Sequence, residues 1–364
     1  MSDAPGIDLA ADAAGTPSAP RAGQREPRAR RFLSGLSFSN IGAVYVWIVI
    51  VAIFWIWVPS TFPTGGTVKA VLNDSAVTGL VALALTVPLA ARIFDLSVVG
   101  NLGLCNMFVA YLFAHTSLSI GVIVLLTLLL ALVVGAVNVL VVVVMKIDSF
   151  IGTLATGALL EAANTLISKE QPVNSVRLSA GFQKISSTQI IGVTIPVLYM
   201  IAIAAAVWVM LEHTATGRRL YATGFNADAA RLAGVQTSRL RAMTLMFSAL
   251  IAGIAGIVVT ATVGSGSPGI GPPYLLVAFA AAFLGGTQLK GGRFNAWGTV
   301  IAVLMLGTGT EGLSLAAAPV WASSVFTGVT LIAALAVTGF QRGRVRGGAA
   351  SGEEEPAAQL AGAG

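Results

Sequence analysis

The sequence carries little charge. Only 10% of its 364 residues are Asp, Glu, Lys or Arg, while 56% are hydrophobic; a soluble domain carries roughly 25% charged residues. A soluble core of this length has no room for so much apolar surface. The apolar residues also fall in blocks, such as 41–58, 118–145 and 240–263, long enough to cross about 30 Å of hydrocarbon as helix. Strict apolar/polar alternation is missing, which excludes a membrane β-barrel with a polar lumen face. The one cysteine, Cys105, rules out an intrachain disulfide and, set in an apolar run, reads as a small buried filler. The two histidines, His115 and His213, are isolated and give no zinc-site spacing. None of the five lysines is followed by Ser or Thr, so the chain has no Walker A loop to hold nucleotide phosphates. No Ser/His/Asp set falls on one face. The chain reads as no enzyme, with no metal or cofactor site of its own.

What is present is an all-α integral membrane protein of about ten transmembrane helices. The candidate segments are 41–58, 70–90, 96–114, 118–145, 151–168, 194–212, 240–263, 275–287, 296–315 and 320–338. The first segment is longer than a signal-peptide core and lacks a cleavage site after it, so it reads as a retained span. Residues 1–36 and 341–364 are rich in Ala, Gly and Pro with Arg or Glu runs, and read as disordered cytoplasmic tails around a membrane domain at 37–340. Threading the segments from a cytoplasmic start places 17 basic residues inside and only four outside, Lys69, Lys169, Arg177 and Lys184. That asymmetry is what the positive-inside rule requires, and it puts both termini in the cytoplasm.

The internal loop 213–239 is longer than a connector needs. Asn226 is a good N-cap, Ala227 to Ala233 has high helix propensity, and Gly234 suits a C′ position at positive φ. A helix of two turns is marginal alone in water. It needs a surface to pack on, and Ala229 and Ala230 permit close approach.

Gly224-x-Asn226-x-x-Ala229-Ala230-x-x-x-Gly234-Val235, with the lead-in Gly217-Arg218-Arg219-Leu220-Tyr221-Ala222, resembles the cytoplasmic coupling motif of ABC importer permeases of the ribose/xylose/galactose family. Phe150-Ile151-Gly152-Thr153-Leu154-Ala155-Thr156, Asp95-Leu96-Ser97-Val98 and Leu284-Gly285-Gly286-Thr287 resemble further segments of that family, and the likeness spans about residues 40–340. It implies a monosaccharide importer subunit in the bacterial inner membrane, working as a dimer of permease chains. It also implies an external solute-binding protein and a separate ATPase that binds the ATP and Mg. Gly224, Asn226, Ala229, Ala230 and Gly234 would then dock on the ATPase. The chain departs from the pattern at Glu161, where the family often has Arg, and at Thr310-Glu311, where it often has an Asn pair. The solute stays open on these grounds.

Acidic groups inside spans cost a few kcal/mol each at mid-bilayer, so they face a partner or a wet cavity. Glu161 and Glu311 are the deepest, and Asp95, Ser97 and Asn164 add polar capacity; these five are the expected solute pathway residues. Asp95 or Ser97 is also expected to cap the third span. The rival reading is an ion-coupled secondary transporter using Glu161 and Glu311. The run Gly264 to Pro273 breaks helix and reads as an external loop or re-entrant corner.

Overall fold

The computed structural model describes residues 38–190, 192–288, 292–334 and 336. Both expected tails lie outside these residues. The chain forms α1 (Phe38–Trp57), α2 (Gly65–Ala90), α3 (Val98–His115), α4 (Ile120–Val139) and α5 (Ser149–Ser168). The connection that follows α5 holds α6 (Lys184–Ser187) and a two-stranded antiparallel hairpin, β1 (Gln189–Ile190) and β2 (Val193–Thr194), with Gln189 opposite Thr194. Then come α7 (Ile195–Trp208), α8 (Ala215–Phe225), α9 (Ala227–Leu232), α10 (Thr237–Val263), α11 (Pro272–Gln288), α12 (Ala296–Leu315) and α13 (Val320–Ala334). π-helical turns extend α4 to Val144 and α7 to His213. Among the described residues, seven helices are long and apolar enough to cross a membrane, and three shorter apolar ones occupy the first, eighth and tenth expected segments. Segment limits agree with expectation to within about five residues, the scatter usual for such boundaries.

α2 sits at the centre. It is apolar on every side, and such a helix is stable only when surrounded. Residues from Ala76 to Ala91 are buried almost without a break, against α3, α7, α10, α11 and α12. Small residues set how close the neighbours come. A side chain at Gly253 or Gly256 of α10 would press on Ala131 of α4 or on Cys105 and Leu102 of α3, as the small-residue pattern predicts. Cys105 is fully buried there. Gly285 of α11 stands directly against Gly298 of α12, which accounts for the late glycine-rich segment as a close helix contact. Thr64, Asp148 and Asn295 cap α2, α5 and α12 through side-chain bonds to backbone amides at 3.2, 3.0 and 2.7 Å.

The break at 264–273 folds inward. Gly264 ends α10 with φ +75°, and the chain then runs back down the side of α3. Gly266 lies against Met107 and Ala110, Ser267 donates its amide to Asn106 Oδ1 at 2.9 Å, and Gly271 packs on the Val99 carbonyl. From Ala110 to Val99 is 11 residues of α3, roughly 16 Å along its axis. Non-helical backbone at that depth is tolerated only where protein covers it or a cavity meets it. Asn106 meets the need on one side, since its amide also donates to Ser265 O at 3.1 Å and Thr260 Oγ1 at 2.9 Å. α11 therefore starts well inside the bundle. The connection between α5 and α7 closes over this corner, pairing Val173 with Gly266, while Arg177 donates to the Thr116 and Leu118 carbonyls at 2.7 and 2.8 Å.

Candidate functional site

The turn 91–97 between α2 and α3 is where α4, α5 and α10 are joined to one end of the central helix. Asp95 is 1% exposed. Its Oδ1 accepts from the Ser97 amide at 3.1 Å and the Ser97 hydroxyl at 2.6 Å, and its Oδ2 accepts from Ser248 Oγ of α10 at 2.7 Å. Asn138 of α4 donates to Ser97 Oγ at 2.6 Å. From α5, Ser149 Oγ accepts from the Phe94 amide at 3.2 Å, and Thr153 Oγ1 accepts from the Leu96 amide at 2.9 Å. A carboxylate fed by three short donors is held without any cation, so the network depends on each donor staying in place. Of the two residues expected to satisfy free amides at the start of the third span, Asp95 does so, accepting the Ser97 amide. Ser97 occupies the N-cap position of α3 but makes no capping bond, because its hydroxyl is committed to Asp95 and Asn138.

Below this turn lies the internal loop 213–239, which contains two helices where one was expected. α8 is amphipathic and buries Gly217, Leu220, Thr223 and Gly224. Gly224 rests on the carbonyl of Ala90 and within reach of Ala91, so close that no side chain fits between. Tyr221 ties α8 to the connection ahead of α12 by donating to Phe294 O at 2.6 Å, and Arg293 stacks over its ring at 5.2 Å. Burial, and then the Glu212 carboxylate, push the Tyr221 phenol well above its ordinary pKa, so it remains a neutral donor. α9 follows as the sequence predicts. Asn226 Oδ1 accepts the amides of Asp228 and Ala229 at 3.1 and 3.0 Å, and Gly234 adopts φ +83° past its end. Ala230 packs inward, while Ala229 faces out.

Two residues at this face escaped the sequence reading. Phe225 and Leu232, flanking α9, are 83% and 88% exposed. Large apolar side chains so bare, on a loop outside the long apolar helices, are unusual on a protein surface. The signal available was their position, one large apolar residue at each end of the expected helix. The nearby Asp228–Arg231 pair at 3.5 Å is exposed and adds little.

The five expected pathway residues do not form one site. Asp95 and Ser97 sit in the buried turn. Glu161 and Asn164 lie together on α5, both facing Gly103 of α3. Glu311 is on α12, which packs against α2, the helix that carries Asp74. Asp74 was also missed, being one acidic residue near the start of a span. Among the described residues no group of three His, Cys, Asp or Glu side chains is placed to hold a metal ion.

The family described as branched-chain amino acid transport system / permease component matches residues 67–335. The ribose import permease protein RbsC of Escherichia coli K12 is 30% identical over 310 residues, 85% of this chain and 96% of that protein. The D-allose transport system permease protein AlsC of the same strain is 28% identical over 311 residues, 84% and 93% of the two chains. The autoinducer 2 import system permease protein LsrD of E. coli HS is 26% identical over 264 residues, 71% and 80%. No solved structure matches the chain.

Proposed function

The chain belongs to the family described as branched-chain amino acid transport system / permease component, and on that footing we propose that it carries a monosaccharide or related small polar solute into the cell in an ATP-driven importer. It is a permease subunit, a transport component rather than an enzyme, and a multi-pass protein of the inner membrane. Its partners are an ATPase and a solute-binding protein. A second permease chain completes the pathway, and both termini are cytoplasmic. ATP and Mg are bound by the ATPase, outside this chain.

The observation that carries this reading is the cytoplasmic stack. Exposed Phe225 and Leu232 flank a capped two-turn helix, and the preceding α8 bears through Gly224 on the end of α2. A partner that grips α9 pushes on Ala90 and Ala91, and so on the turn that Asp95 locks to α4 and α10. Nucleotide-driven movement of an ATPase thus has a short, stiff path to three membrane helices. On the outer side, the folded connection 169–193 and the corner at 264–271 offer a ledge to a solute-binding protein. The similarity to permeases named for ribose and allose import supports a polyhydroxylated solute.

Reconstitution tests it. The permease with its ATPase and solute-binding protein in proteoliposomes should take up labelled D-ribose or D-allose only when ATP is supplied. Uptake that ignores ATP and collapses with the proton gradient would instead establish ion coupling through Glu161 or Glu311.

A further inference from the structure

Asn164 is the one residue among those described whose buried side-chain amide has neither its nitrogen nor its oxygen hydrogen-bonded. It is fully buried, on α5, and its Nδ2 faces the bare Cα of Gly103 on α3. A methyl group at Gly103 would lie 3.3 Å from Asn164 Nδ2, 3.8 Å from the Gly271 nitrogen and 3.9 Å from Glu161 Oε2. Three polar atoms, two from α5 and one from the segment ahead of α11, thus converge on one glycine. An amide donor and a carboxylate acceptor stand side by side without bonding each other, each directed at the same small space. Buried amides are rarely left this way, because an unpaired group keeps its full desolvation penalty.

The surroundings are those of a solute route. Gly271 is the last residue of the inward-folded segment, and α11 begins immediately after it, inside the bundle. Broken helices at membrane depth are where membrane transporters place their binding groups. Glu161 is half-buried and forms the open rim of the space, whereas Asn164 lies behind it. Pro272 and Pro273, next in the chain, are exposed. A carboxylate together with amide N–H and C=O groups suits a neutral hydroxyl group, which both donates and accepts.

We propose that the niche framed by Glu161, Asn164, Gly103 and Gly271 holds a hydroxyl group of the transported solute, Glu161 accepting from it and Asn164 donating to it. This rests on the reading of the chain as an importer of polyhydroxylated solutes. Glycine is required at position 103 because any side chain would occupy the place of the hydroxyl.

The test uses thermal unfolding of the full-length permease in detergent, with D-ribose, D-allose and L-leucine as probes, on wild type, Asn164→Leu and Gly103→Ser. Asn164→Leu removes the unpaired groups at similar volume, and Gly103→Ser supplies a hydroxyl from within. Both variants should therefore unfold at or above the wild-type temperature. The sugars should raise the wild-type midpoint, leucine should not, and the shift should vanish in both variants. In the reconstituted importer the same two changes should cut sugar uptake at least tenfold. A sugar shift that both variants retain overturns the niche and leaves the importer reading standing. A leucine shift that Asn164→Leu abolishes puts ligand at the niche but overturns the sugar. Variants that unfold earlier than wild type, with unchanged sugar binding, assign Asn164 a packing role and also overturn the proposal.

Discussion

Ser248 Oγ donates to Asp95 Oδ2 at 2.7 Å across 153 residues of sequence, joining the middle of α10 to the turn between α2 and α3. Removing the hydroxyl leaves half of a buried carboxylate without a donor. Ser248→Ala should therefore cost about 1–3 kcal/mol of stability. A thermal or denaturant midpoint equal to wild type would show that water replaces the bond and that the network is slack.

The contact of Gly224 with the Ala90 carbonyl gives a sharper expectation. Gly224→Ala places a methyl group into a backbone oxygen that has no room to retreat, because Ala90 and Ala91 are themselves buried. In the assembled importer, ATP hydrolysis should continue while uptake falls at least tenfold. Parallel loss of both activities would indicate that the variant fails to assemble.

Phe225 and Leu232 should carry the affinity for the ATPase. Burying one large apolar side chain contributes about 1.5–3 kcal/mol, or roughly 10- to 150-fold in affinity. Phe225→Ser and Leu232→Ser should weaken co-purification of the ATPase by that order while membrane insertion is unchanged. Retention of the ATPase by the double variant would exclude this face as the dock.

Asn226 acts one step earlier, on the helix itself. Its side chain satisfies two amides of a six-residue helix. Asn226→Ala should cost about 0.5–2 kcal/mol locally. Amide exchange across 227–232 should speed up, with exchange in α10 unaltered.

Small-residue packing predicts a global effect. A methyl group at Gly256 would come within 2.7 Å of both Cys105 Cβ and the Leu102 carbonyl. Gly256→Val should destabilise the bundle by about 1–3 kcal/mol, the usual result of overpacking. Normal expression and an unchanged unfolding midpoint would contradict the tight α3–α10 contact.

The features legible in the sequence were those set by local chemistry. Asn226 and Gly234 bracket a helix because a cap and a positive-φ terminator act over three or four residues. The spans were legible from hydropathy, and the corner at 264–273 from its Gly and Pro content. α8 was hidden because Gly217 and Gly224 cost about 1 kcal/mol each in a helix, and the close contacts that favour them come from Leu211 and Ala90, on other elements. Ser97 read as a cap because its competitor, Asn138, lies 41 residues away. Glu161 and Asn164 were visible as misplaced polar groups, but Gly103 and Gly271, which complete their surroundings, carry no signal at a distance. Asp74 became notable only once α2 and α12 were packed together.

The inward-folded segment also constrains how the protein is made. Residues 264–271 bring polar backbone deep into the bundle, and each unpaired group in lipid costs several kcal/mol. Asn106, which receives Ser267, is 161 residues upstream. α10 and α11 therefore cannot settle as an independent hairpin leaving the insertion machinery. They must wait beside an α3 that is already in the membrane, so late helices are fitted onto early ones and biogenesis acquires an order that the linear run of spans does not display.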